Sequence, residues 1–217
     1  MRIGTIFRKE LLEIINVKSG KKDIILDVGC FDGYWLSTQK AKERYGLDIN
    51  IENRYKNIKY IQGSALDIPF SKGVFNKVFA FDVIEHLPSG TEAKFLSELI
   101  RVTNVKGSVY LTFPSDQIRV WPKLMNNFVS RKWGHYKYHG LNKNQIRNFF
   151  KKNKNVTFYV RDLNTRNYLK FYLFLRFLWS CNEQLSKKII KKIASLDAKS
   201  LEGEMGYYLL TIKKNRM

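Results

Sequence analysis

Apolar residues fall into two rhythms along this chain. Short continuous runs alternate with stretches in which apolar positions recur every three or four residues, so strands alternate with helices. An entry helix is predicted over residues 5–17. Strands follow at 23–28, 45–49, 58–62, 77–81, 108–113, 156–160 and 207–212. Helices are predicted after the first strand, over 91–103 (with Phe95, Leu96, Leu99 and Ile100 at helical spacing), over 142–152 and, as one long hydrophobic element, over 167–194. Repeated βα units of this kind build a parallel sheet with helices on both faces.

Pro114 closes the fifth strand, and a polar, aromatic-rich connection runs over roughly 115–140. A connection of that length suits a lid or extra helices better than a plain loop. With no repeat and no linker, the expected organisation is one domain over 1–217. Residues 1–115 form its ligand-binding half and 116–217 its acceptor-side half. The 217 residues, 44% hydrophobic and 27% charged, suffice for one such core. Cys30 and Cys181 offer neither a disulfide framework nor metal-ligand spacing, so no metal is expected. No signal peptide or long apolar span is evident, and a reducing cytoplasmic setting is expected.

Charge changes the picture more. The net charge is +20, and it is uneven. Residues 1–116 hold 17 Lys and Arg against 14 Asp and Glu, whereas 117–217 hold 22 against 5. The second half is therefore expected to face something anionic, such as RNA, phospholipid headgroups or a phosphorylated substrate.

The chemistry gathers in the less basic half. The run Ile24-Ile25-Leu26-Asp27-Val28-Gly29-Cys30-Phe31-Asp32-Gly33 carries an apolar strand into an acid and then into glycines at a tight turn. A sheet of this class opens a nucleotide site there. The Asp27 carboxylate would repel a pyrophosphate and suits ammonium groups and hydroxyls, which points to a cationic nucleoside. Four further stations end the next strands: Asp48, then Gly63 to Phe70 with Asp67, then Asp82 to Pro88, then Pro114.

These stations resemble the class I S-adenosylmethionine-dependent methyltransferases, most closely the small-molecule-type branch, over about residues 20–115. The resemblance implies a Rossmann-like, seven-stranded, mostly parallel α/β sheet with an antiparallel last strand. It implies S-adenosylmethionine as cofactor and S-adenosylhomocysteine as product. It further implies that Asp27, Gly29 and Gly33 lie along the amino-acid moiety, and that Asp48, followed by Ile49, accepts both ribose hydroxyls. Ala65, Leu66 and Asp67 would receive the adenine, and Phe81 and Asp82 the methionine portion. Phe31 departs from the family pattern, which has a middle glycine there.

A base is required only where the acceptor must lose a proton. The expected candidates are His86 with Glu85, at the end of the fourth strand, and His135 in the cluster Trp133-Gly134-His135-Tyr136-Lys137-Tyr138-His139. A buried aromatic anchor is the other reading of that cluster. The 167–194 helix places Phe171, Leu175, Leu178 and Leu185 opposite Arg176, Ser180, Glu183 and Lys187, and suits a core helix, a lid, a dimer contact or an anionic membrane surface. The leading expectation is methyl transfer to a small-molecule, lipid-linked or glycan-linked acceptor, in the cytoplasm or at a membrane periphery. Two rivals stand beside it: a tRNA-type RNA methyltransferase, and a non-catalytic, methyltransferase-like membrane-peripheral or complex subunit.

Overall fold

The computed structural model describes residues 3–114, 141–151, 155–199 and 206–215. In chain order these form α1 (Ile3–Ile14), β1 (Ile24–Val28), α2 (Tyr34–Thr38), β2 (Glu43–Asp48), β3 (Lys59–Gln62) and β4 (Phe75–Phe81). A 3-10 turn (Ile84–His86), α3 (Glu92–Val102), β5 (Thr103–Pro114), α4 (Lys143–Lys151) and β6 (Val156–Asn164) come next. The chain then forms α5 (Arg166–Cys181), α6 (Glu183–Lys199) and β7 (Gly206–Lys214).

The strands make one seven-stranded sheet in the order β3-β2-β1-β4-β5-β7-β6. The pairs β1–β2, β1–β4, β2–β3 and β4–β5 are parallel, and the last strands are antiparallel. The expected fold class is thus the observed one. β1 is an interior strand, and Ile25, Leu26 and Val28 are almost wholly buried, as a strand covered on both faces must be. Strand order reverses between β1 and β4, so the switch point, where open α/β sheets bind ligands, falls at the carboxyl end of β1.

Contacts divide the chain into two compact units. One holds, of the described residues, 19–114, 141–151, 155–161 and 208–215, and its core includes Leu26, Val78, Phe95, Leu99, Leu111, Phe113, Ile146 and Leu210. Lys214 fastens β7 inside it, with Nζ donating to the carbonyls of Ile100 at 2.8 Å and Thr103 at 2.6 Å, and so satisfies carbonyls that α3 leaves open at its end. The other unit holds, of the described residues, 3–18, 162–199 and 206–207. In it Phe7 of α1 stacks on Tyr168 of α5 with ring centroids 4.1 Å apart.

Most element bounds shift by a few residues, and β6 runs on to Asn164 rather than 160; two differences change the architecture more. β5 begins at Thr103 rather than 108, with a bulge between the register pairs Phe75–Thr103 and Lys77–Ser108. The single helix expected over 167–194 is two helices broken at Asn182 (φ −152°, ψ 95°). The main-chain N–H of Asn182 donates to Leu178 O at 2.7 Å and ends α5, while its side-chain Oδ1 accepts the Leu185 N–H at 2.9 Å and starts α6. An Asn followed by Glu183 is an N-cap signal that outweighs hydrophobic continuity. The face expected to join Phe171, Leu175, Leu178 and Leu185 does not form. The buried stripe of α5 is Tyr168, Leu169, Tyr172 and Leu175, and Phe171 and Leu185 are exposed.

Candidate functional site

The glycine turn after β1 is built by close approach. A Cβ on Gly29 would overlap Cγ2 of Val83, just past β4, and Gly29 has φ +80°. A Cβ on Gly33, at φ +75°, would overlap the Tyr60 hydroxyl, which donates to Asp32 O at 2.9 Å. Both glycines thus satisfy a backbone demand and a space demand together. Trp35, at the start of α2, packs edge-on against Phe79 and Phe81 of β4, with centroids 5.5 and 5.0 Å away.

The turn is latched to the end of β2. The N–H groups of Gly29 and Cys30 donate to Leu47 O at 2.7 and 3.2 Å. The Asp48 carboxylate accepts the Phe31 N–H at 2.8 Å through Oδ2 and the Asn50 N–H at 2.9 Å through Oδ1. Glu52 N–H donates back to Phe31 O at 3.1 Å. Arg54 pairs with Asp32 at 3.1 Å.

Phe31 itself adopts φ +45°. This left-handed conformation explains why a glycine is the ordinary occupant and why Phe is a strained one. Its ring is 44% exposed, so little packing depends on it. Phe31→Gly is expected to change stability by less than about 1 kcal/mol, because relief of strain offsets the freedom that glycine adds to the unfolded chain. Thermal denaturation checks this; a loss beyond about 2 kcal/mol would mean that the ring supports the fold.

Past β3, the segment carrying Leu66 and Asp67 is clamped from α3. Arg101 donates to Phe70 O at 2.6 Å and Ile68 O at 2.8 Å, and Glu98 Oε2 accepts the Ile68 N–H at 2.8 Å. The hydrogen bond from Arg101 holds the Glu98 carboxyl below its usual value of 4.5. Its contribution to stability is therefore present above pH 4.5 and fades as pH falls through the lowered value. Arg101→Met is expected to cost about 1–2 kcal/mol near neutrality and to flatten the acid limb of the stability profile. Urea melts across pH measure both.

Past β4, Asp82 sits at φ +54° and accepts the Thr112 hydroxyl at 2.9 Å. In the 3-10 turn that follows, Glu85 is buried and His86 is exposed. The ends of β1 to β4 thus bring Asp27, Asp48, Asp67 and Asp82 to one edge of the sheet, with Gly29, Gly33, Ile49, Ala65, Leu66 and Phe81. Asp27 is buried and Ile49 is 63% exposed. His135 and the rest of its cluster lie outside the described residues. Burial, reinforced by Asp27 and Asp48, pushes the Cys30 thiol far above its normal range, so Cys30 is inert packing rather than a nucleophile. A cavity of about 520 Å³ is lined by Phe31 of the turn, by Asn50 to Asn53 just past the carboxyl end of β2, and by Tyr60 and Gln62 of β3. Of the turn residues only Phe31 borders it.

Sequence reasoning missed the Tyr60 contact, the Glu98–Arg101 clamp and the Phe31 latch. Glycine at 29 and 33 marks close approach without naming the neighbour, and Glu98 and Arg101 stand three apart on α3, a spacing that pairs opposite charges without naming the segment they clamp.

Comparisons with known proteins agree with this arrangement. Residues 26–111 match a family described as a methyltransferase domain. Over 106 residues, 45% of this chain and 40% of the relative, the chain is 30% identical to a "Probable S-adenosylmethionine-dependent methyltransferase" of Mycolicibacterium smegmatis. Among solved structures, it is similar to Haemonchus contortus phosphoethanolamine N-methyltransferase 2 in complex with S-adenosyl-L-methionine. That likeness has a TM-score of 0.62 at 16% identity, over 98% of this chain and 53% of the other. A SAM-dependent methyltransferase from Archaeoglobus fulgidus gives a TM-score of 0.60 at 14% identity, over 98% and 95%. The chain thus spans about half or less of the Mycolicibacterium and Haemonchus proteins.

Proposed function

We propose that this chain is a class I S-adenosylmethionine-dependent methyltransferase, as its match to a methyltransferase domain over residues 26–111 supports, and that it transfers a methyl group to a small-molecule, lipid-linked or glycan-linked acceptor. One observation carries the reading. In a chain of net charge +20, the switch-point edge of the sheet carries Asp27, Asp48, Asp67 and Asp82 beside a glycine turn against which Val83 and Tyr60 pack closely. That combination fits a cationic nucleoside and opposes a polyphosphate.

The bound cofactor supplies a methyl group on a sulfonium whose leaving group is neutral. The chain's own task is chiefly alignment, which accounts for much of the acceleration in such a transfer. Asp48 has lone pairs beyond those engaged by Phe31 and Asn50, and on this reading it accepts the two ribose hydroxyls. Ile49, Ala65, Leu66 and Asp67 are assigned to the base, and Asp27, Phe81 and Asp82 to the amino-acid end. His86, exposed beside the buried Glu85, is assigned the acceptor's proton where the acceptor must lose one. The Haemonchus enzyme is named for phosphoethanolamine, a small phosphorylated amine. An acceptor of that size and charge suits the basic second half of this chain.

Titration with S-adenosylhomocysteine, followed by a labelled-methyl assay against soluble metabolites, lipids and RNA, tests the reading. Absence of cofactor binding would sink it. Labelling of RNA alone, lost steeply as salt rises, would transfer the acceptor role to RNA.

A further inference from the structure

The outward face of α5 is built unlike the rest of the described surface. Its buried stripe, Tyr168, Leu169, Tyr172 and Leu175, accounts for one side of the helix. On the other side Phe171 and Leu173 are 41% exposed, Phe174 53% and Phe177 68%. Arg166 and Lys170 share that outward arc with Phe174 and Phe177 at helical spacing, and the Lys170 ammonium lies 5.6 Å from the Phe171 ring centroid. No acidic residue occurs in α5. On α6, Lys188, Lys191 and Lys192 are exposed, as are Leu185 at 44% and Leu196 at 51%. Residues 166–199 carry eight Lys and Arg against two acids, and one of those, Asp197, is buried.

We infer that the α5–α6 hairpin is a membrane-docking face, which lays Phe171, Phe174 and Phe177 into the acyl boundary of an anionic lipid surface while its lysines and arginines meet the headgroups. Exposed apolar area of this kind marks an interaction site. Its cationic rim chooses the occupant. A second copy of the chain would set like charge against like charge across a two-fold contact. A nucleic acid would neutralise the lysines but offers exposed leucines no apolar layer. Anionic lipid satisfies both, in the manner of an interfacial helix. No described helix is long and apolar enough to cross a membrane, so the hairpin lies on the surface rather than through it. This docking does not depend on the methyl-transfer reading.

The test is co-flotation of the full chain with phosphatidylcholine vesicles, with and without about one third phosphatidylserine. Wild type is expected to float with the anionic vesicles, at least about tenfold more than with the neutral ones, and to be released by high salt. The double substitution Phe174→Asp, Phe177→Asp is expected to lower binding at least about tenfold without shifting the melting temperature, since both rings are solvent-facing. Substituting Lys188, Lys191 and Lys192 by Gln is expected to weaken binding and its salt dependence while the fold is retained. Equal binding to both vesicle types, no binding to either, or undiminished binding by the phenylalanine variant overturns the inference. So does a chain dimer, or an RNA complex, that the phenylalanine variant dissolves while vesicle binding persists.

Discussion

Replacing Asp48 by Ala is expected to weaken binding of S-adenosylhomocysteine about ten- to 150-fold. The carboxylate holds the turn and the proposed ribose together. It accepts N–H groups from Phe31 at 2.8 Å and Asn50 at 2.9 Å, one on each oxygen. An ionised carboxylate can take further donors on the same oxygens, and loss of one such charge-assisted bond costs about 1.5–3 kcal/mol. Alanine also frees the left-handed Phe31 backbone at φ +45°, so the glycine turn loses a fastening while it loses a ligand contact. Asp48→Asn separates the two effects. It keeps one acceptor oxygen and nearly the same volume, and its affinity is expected to fall between those of wild type and the alanine variant. Calorimetric titration reads the affinities, and thermal melting reports whether the turn has loosened. An alanine variant that binds as wild type does would remove the ribose assignment from Asp48.

The same residue shows why much of the candidate edge was legible in the sequence. Strand, acid and glycine occur in one local run at Ile24 to Gly33. Each later acid stands at or past the end of its own strand, Asp48 closing β2, Asp82 directly after β4 and Asp67 a short turn past β3, so the strand pattern of a parallel sheet puts them toward one edge. The geometry of Phe31 was not legible, because a missing glycine reads as a departure until its φ is known. Tyr60 above Gly33 and Arg101 behind Ile68 and Phe70 join residues 27 or more positions apart. Such pairs leave no local pattern. The break at Asn182 is a different failure. Its Asn-Glu signal was present, but the continuous apolar run across 168–181 overrode it in the reading, and the hydrophobic pattern could not reveal which side of α5 would be left in water.

Asp197→Ala is expected to destabilise the protein by about 2–4 kcal/mol, the largest stability effect argued for a single side chain. Thr165 stands at the N-cap position of α5 yet makes no capping bond with its side chain. Asp197, from α6, supplies the cap instead. Its Oδ1 accepts the Asn167 N–H at 3.1 Å and the Asn167 side-chain amide at 2.8 Å, and Oδ2 accepts the Tyr168 N–H at 3.1 Å. These are the second and third main-chain donors of the helix, the ones an N-cap side chain ordinarily serves. The carboxylate also meets the positive end of the helix dipole. Alanine leaves those donors unpaired beside a side chain that is almost wholly buried, which is where an unmade hydrogen bond costs most. Burial raises the Asp197 carboxyl above its usual 3.8. The sign follows: its protonated form is favoured in the fold, so this contribution is full below pH 3.8 and declines as pH rises through the raised value. Asp197→Asn has no such titration and keeps one acceptor, so it is expected to lose less than alanine near neutrality and to fall further behind wild type below pH 3.8. Urea denaturation of the three proteins at both pH values measures this. Equal stability of wild type and the alanine variant near neutrality would mean that α5 begins without help from α6.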